Sequence, residues 1–207
     1  MLNPSLLSVF VPTFLLVSLT PGMCMTLAMV LGMTQGVKHT LWMMVGELLG
    51  VGLVAASAGA GVAALMLQQP ALFAVFKWLG GAYLVYLGVM MWRSRGRMAV
   101  PDQVDAGNRA GRRELAVQGF VTAVANPKGW AFFVALLPPF LDASRPLTGQ
   151  LALLVTLILS IEFLALLTYA TGGQTLRHLL GKSRNVRLLN RIAGTLMVGV
   201  GLWLAVG

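Results

Sequence analysis

The chain reads as an all-α integral membrane protein of six transmembrane helices, arranged as two inverted three-helix repeats in which helices one and four are broken. Three observations predict this class. Of the 207 residues, 57% are hydrophobic and only 10% charged, and the mean hydropathy of +0.82 lies outside the range of soluble globular domains. Six apolar stretches follow one another, each long enough for the roughly 20 residues that a bilayer crossing requires. The fifteen Lys and Arg residues gather mainly in the gaps between those stretches.

The first stretch runs from about Ser5 to Gly32. No basic residue precedes Pro12, and the run continues well past a normal cleavage distance, so it is read as a span and not as a signal peptide. The others run at about Leu41 to Leu67, Ala71 to Trp92, Leu115 to Leu141, Leu147 to Thr171 and Leu188 to Val206. Gln35 to Thr40 and Gln68 to Pro70 are short polar turns, and Arg93 to Glu114 is a longer basic loop rich in Gly, Asp and Asn. The expected organisation is one transmembrane domain over residues 1–207, with half-repeats of about 1–92 and 115–207 and no room for a second, soluble domain.

The position of the charges sets the topology. Lys and Arg are retained in cytoplasmic loops. If the loop of about 93–114, with Arg93, Arg95, Arg97, Arg109, Arg112 and Arg113, is cytoplasmic, alternation also puts Lys38 and a loop of about 176–191 inside. The latter carries Arg177, Lys182, Arg184, Arg187 and Arg191. Twelve of the fifteen basic residues then lie on the cytoplasmic side, Arg145 lies outside, and both termini face the periplasm.

The halves share a faint internal likeness. Phe14 precedes Thr20-Pro21 at the spacing by which Phe120 precedes Asn126-Pro127, and Gly81, Val85 and Gly88 match Gly194, Val198 and Gly201. An odd number of spans per half makes such a repeat inverted across the membrane, an architecture of many secondary transporters. Proline removes a backbone hydrogen bond and clashes with the preceding turn, so Pro21-Gly22 and Pro127 should break spans one and four inside the membrane. Interrupted helices in corresponding positions point to a binding site.

Four ionisable residues fall within apolar runs: Glu47, Lys77, Lys128 and Glu162. A charge at the helix centre costs at least about 2.5 kcal/mol, so these groups are candidates for charge pairing, proton coupling or substrate contact. Glu162 sits deepest by count along its span and is the leading proton-responsive candidate. Glu47 and Lys77 lie about two turns from a span end, within reach of the interface by snorkelling. Glu47 is flanked by Gly46 and Gly50, a small-xxx-small pair that admits a neighbouring helix, and Gly81 and Gly88 offer a second packing face.

Several function classes lose support. No basic stripe tracks a phosphate backbone, so nucleic acid is not an expected partner. Cys24 is the only cysteine, which excludes an intrachain disulfide. Met23, Cys24 and Met25 offer soft ligands of the kind a copper-like ion takes, so a soft-metal-ion exporter is one alternative; a non-transporting membrane scaffold is another. His39 and His178 belong to predicted cytoplasmic surroundings. No nucleophile elbow, phosphate loop or metal-ligand spacing is present, and neither an enzyme, a resident metal nor a cofactor is expected.

The chain carries Thr20-Pro21-Gly22, Gln35-Gly36-Val37-Lys38, Gly46-Glu47-Leu48-Leu49-Gly50, Gly81-Ala82-Tyr83-Leu84-Val85-Tyr86-Leu87-Gly88, Asn126-Pro127-Lys128 and Leu137-Pro138-Pro139-Phe140, in that order. On these motifs it resembles the LysE/RhtB family of amino-acid exporters. It implies a multi-pass carrier of the bacterial inner membrane that exports amino acids or close analogues, driven by the proton gradient. The expected partners are an amino-acid-like solute, protons and the lipid bilayer, with a second copy of the chain as a further candidate. Pro21, Gly22, Asn126, Pro127 and Lys128 become the expected substrate site, with Glu47, Glu162 and Lys77 as proton or charge partners. In the family the first break usually reads Pro-Gly-Pro and then a polar residue. Here Met23 and Cys24 follow Pro21-Gly22, a departure that favours an apolar or sulfur-containing amino acid over a basic one.

Overall fold

The computed structural model describes residues 4–94, 110–142 and 144–206. Arg95, Arg97 and Arg109 lie outside them, as do the side chains of Lys77, Pro127, Lys128 and Arg177. Among the described residues the fold is all helical, without strands. Its elements are α1 (Pro4–Leu19), α2 (Met23–Thr34), α3 (Val37–Gln68), α4 (Pro70–Arg93), α5 (Arg112–Val124), α6 (Pro127–Leu136), a 3₁₀ turn at Pro138–Phe140, α7 (Leu147–Gly181) and α8 (Ser183–Val206).

The first predicted span is two helices, α1 and α2, bent by 57° at the break. The fourth is α5 and α6, interrupted at Ala125-Asn126 just before Pro127, with the Pro138–Phe140 turn completing it. Val37–Ala64 and Leu147–Gly173 are each long and apolar enough to cross a membrane, and the bent pair makes a third such unit.

Helices also extend beyond the apolar runs. The turn expected at Gln35 to Thr40 shrinks to Gln35-Gly36, where Gly36 takes φ +84°, a left-handed conformation that favours glycine. The segment expected as a cytoplasmic loop over 176–191 is instead helical, divided only at Lys182 between α7 and α8. Hydropathy marks where a helix becomes polar, whereas the backbone keeps its ladder of hydrogen bonds until something interrupts it. In α7 the interruption inside the helix is Gly173, at φ +29°.

Small residues set the closest approaches. A Cβ on Gly46 of α3 would collide with the Ala116 carbonyl of α5, and one on Gly119 of α5 with the Met43 carbonyl. Gly50 meets Phe120 and Ala123 one turn further on, so the two helices run parallel in near backbone contact. At Gly46 and Gly50 the absence of a Cβ is what allows this close approach. The α4 and α8 pair runs antiparallel: a Cβ on Gly88 would lie 2.6 Å from the Gly194 carbonyl oxygen, and one on Gly201 2.6 Å from that of Gly81. Gly32 of α2 abuts the Ala170 backbone of α7.

The starts of α3, α5 and α8 and the end of α4 are linked by a set of contacts. The His39 ring Nε2 lies 2.8 Å from the Ala110 carbonyl, Arg112 lies over Trp42, Arg191 over Trp92, and Asn190 donates to the Ser94 hydroxyl. The buried interior divides into two apolar clusters. One is built on Phe10, Phe14, Phe132, Phe133 and Phe140, the other on Met25, Met29, Met43, Met44 and Leu166.

Candidate functional site

The site begins with the backbone at the two breaks. Pro21 has no N–H to give, so the last turn of α1 closes on Thr20, whose N–H donates to the Val17 carbonyl at 3.1 Å and whose hydroxyl donates to that of Leu16 at 2.8 Å. The Leu19 carbonyl accepts a hydrogen bond from the Tyr169 hydroxyl of α7, at 2.8 Å. Gly22 is extended, and α2 opens there without a side-chain cap. At the second break the Val124 carbonyl accepts from Trp130 Nε1 at 2.9 Å, and the Asn126 carbonyl accepts from the Gly129 amide at 3.1 Å. A buried backbone group without a partner is unfavourable in an apolar interior, and both breaks use an aromatic donor to avoid one.

Between the breaks lies a cavity of about 80 Å³, room for several waters or a small solute. Thr20, Gly22, Met23, Cys24 and Met25 line it from the first break, and Ala123, Asn126 and Gly129 from the second. Glu47 of α3 and Glu162 of α7 both face it, with Ser18 of α1. The walls are apolar: Phe14, Phe132, Phe133, Val51 and Val54. Phe14 holds the other two rings at centroid distances of 5.5 and 6.2 Å. Both apolar clusters contribute walls, so the polar groups are enclosed between them.

The two acids differ. Glu162 is half-buried and accepts a 2.6 Å hydrogen bond from the Ser18 hydroxyl. Glu47 is 0% exposed, and neither of its carboxyl oxygens has a hydrogen-bond partner of acceptable geometry. Glu162 and the Cys24 thiol lie close enough to interact with it, the first by charge and both as loose hydrogen-bond neighbours, and Cys24 in turn lies beside Asn126. Depth counted along a span and burial against protein are different quantities: Glu162 is central in its apolar run yet half-buried, whereas the near contact of α3 with α5 at Gly46 and Gly119 encloses the turn that carries Glu47.

The cavity thus brings together Gly22, Asn126, Glu47 and Glu162 of the residues singled out in the sequence. Pro21 shapes the first break without lining it. Lys128 stands at the second position of α6 and Lys77 within α4, their side chains outside the description. Ser18, Phe132 and Phe133 carry no motif, and their only signal is proximity to the breaks. Phe14 stands out in the sequence only through its spacing to Thr20-Pro21, and the closeness of Tyr169 to the first break exists solely in three dimensions. Met23, Cys24 and Met25 do line the cavity, but among the described residues no three His, Cys, Asp or Glu side chains are grouped to hold a metal ion.

Broken helices that enclose polar groups inside an apolar helical bundle define a membrane protein with an internal solute-sized site. Residues 15–207 match the LysE type translocator model, and the chain belongs to that family of membrane transporters. It is 27% identical to the homoserine/homoserine lactone efflux protein of Salmonella typhimurium over 193 residues, 93% of this chain and 92% of that one. It is 31% identical to the leucine efflux protein of an Enterobacter species over 191 residues, 90% and 89% of the two chains. An uncharacterized membrane protein of Vibrio cholerae is 28% identical over 93% of each. No solved structure matches the chain.

Proposed function

We propose that this protein is a proton-driven secondary exporter of amino acids or amino-acid-like metabolites across the bacterial inner membrane. The observation that carries the reading is the cavity between two interrupted helices, where two carboxyl groups from different helices meet uncapped backbone. Relatives over nearly the whole chain are named for homoserine, homoserine lactone and leucine efflux, and all three solutes carry an amino group. The substrate's carboxylate is held by the positive N-terminal end of α2, by Asn126 and by the Lys128 ammonium; Pro21 and Pro127 fix the breaks. Its ammonium is held by the acids, and its side chain lies against Phe14, Phe132 and Val51. A proton bound differently in the inward-open and outward-open states couples the gradient to export.

The chain crosses the membrane six times as two inverted halves. In support, the α4–α8 contact is self-complementary: Gly81 meets Gly201 as Gly194 meets Gly88, the pattern expected when the matched residues are related by a two-fold axis. Both termini are periplasmic, and the basic ends of α4, α5 and α8 face the cytoplasm.

The direct test is efflux of a panel of preloaded amino acids from cells with and without the protein, repeated with the proton gradient collapsed. Faster, gradient-dependent export of one group is the expected result. Lys128→Met should abolish that export while the protein still inserts, and export retained by this variant removes Lys128 from the site.

A further inference from the structure

The two acids divide the work, and we infer that Glu47 is the exchange site: its carboxyl holds either a proton or the substrate's ammonium, never both, while Glu162 stays tethered to Ser18. The inference rests on the exporter reading and assigns the coupling step within it. It stands on three observations. Glu47 lines the cavity, is wholly buried, and among the described residues has no hydrogen-bond partner of ordinary geometry on either oxygen, its near neighbours being the Cys24 thiol and Glu162. Glu162 faces the same space but accepts the Ser18 hydroxyl at 2.6 Å.

The chemistry balances as a displacement. The Glu47 O–H bond breaks, the electron pair stays on the carboxylate, the proton leaves to water, and the ammonium of the solute takes its place as an ion-pair partner. The net charge of Glu47 and its occupant is zero before and after. An empty carboxylate lacking both occupants is the unfavourable state, because it is wholly buried and, among the described residues, the donor beside it is the weakly donating Cys24 thiol. That state is the one in which an antiporter would slip, returning without a proton, so its instability enforces exchange.

The titratable groups facing Glu47 are few. Glu162 approaches from α7 and the Cys24 thiol from α2; on the α5 side the contact is the Gly119 backbone. The side chain of Lys128 on α6 lies outside the described residues. Ammonium recognition by Glu47 predicts that proton release requires the solute's amino group, whereas its carboxylate adds affinity without being needed for the displacement.

Substrate-induced proton release from the purified full-length protein tests this, in weakly buffered detergent solution with a pH indicator. The probes are L-leucine, L-homoserine lactone, leucinamide and 4-methylpentanoate, scanned from acid to alkaline pH. By linkage, a solute that displaces the proton releases up to one proton per molecule bound, within the pH window where the site is protonated. Leucine or homoserine lactone, and leucinamide, should release it; 4-methylpentanoate, which lacks nitrogen, should not. Glu47→Gln should release none at any pH. Glu114→Gln, a carboxyl lost at the exposed start of α5, should behave as wild type. If Glu47→Gln does not fold, Glu47→Asp carries the test, because moving the carboxyl must shift the pH of half-maximal release. Release that persists in Glu47→Gln, or an unshifted profile in Glu47→Asp, overturns the inference. Release lost in Glu162→Gln but kept in Glu47→Gln assigns the exchange to the other acid. Leucine efflux from reconstituted vesicles separates this from the exporter reading. Transport that continues with release independent of Glu47 defeats only the inference, whereas a protein that neither binds nor moves any amine defeats both.

Discussion

The two broken spans solve one problem in different ways. At Leu19–Met23 the freed carbonyl is taken by Tyr169, which comes from α7 at the far end of the sequence. At Val124–Pro127 it is taken by Trp130, only six residues further on. The first break is therefore tied to the helix that carries Glu162, and a movement of α7 reaches it directly. The second is closed within its own segment and pressed onto α3 by Gly119. One break is placed to respond to the helix bearing the tethered acid; the other is a brace that holds the buried acid in position.

The largest expected effect comes from removing that brace. Gly119→Leu forces α5 away from the Met43 carbonyl and the Glu47 amide. Overpacking of this kind usually costs about 1–3 kcal/mol, and here it meets rigid backbone. We expect folded protein to be lost from the membrane, read by size-exclusion of detergent extracts; a normal yield and elution volume would contradict the brace.

Tyr169→Phe should have the next largest effect, since it leaves a buried carbonyl without its donor, a loss of roughly 1–3 kcal/mol. The thermal midpoint should fall, and Cys24 beside the break should be alkylated faster by N-ethylmaleimide. Trp130→Phe breaks the matching bond at a more exposed position. It should cost no more than about 0.5–1.5 kcal/mol, the net worth of an ordinary hydrogen bond, and leave the Cys24 labelling rate unchanged. Equal labelling changes in the two variants would erase the distinction between the breaks.

The smallest effect lies in the loop after the second broken span. The Ser144 hydroxyl, and next its backbone N–H, hold the Asp142 carboxyl below the usual aspartate range. A depressed folded-state pKa stabilises fully above the unfolded value and loses its contribution as pH falls through the folded one. Ser144→Ala should therefore lower the thermal midpoint slightly near neutrality and not at all in strong acid. The pair is solvent-exposed, so transport should be unaffected.

Much of this was legible in the residues because its causes are local. A proline lacks its N–H wherever it stands, so both breaks could be placed from Pro21 and Pro127. Gly46 and Gly50 announced a close helix approach, although not that Ala116, Gly119 and Ala123 would supply the other side. The end of α7 was misread because the helix continues past its apolar run to Gly181; polarity and helicity are separate properties of a segment.

By itself the sequence determined the membrane class, the broken helices and the identity of the acids, since hydrophobic length, missing donors and intramembrane charge are properties of individual segments. Only the tertiary structure decided which acid is buried, which is tethered, and that the two meet. Those facts depend on what each side chain finds on a neighbouring helix: a serine for Glu162, a glycine-bared backbone closing over Glu47. No spacing along the chain encodes them, because the partners are brought together by packing between α1, α3, α5 and α7.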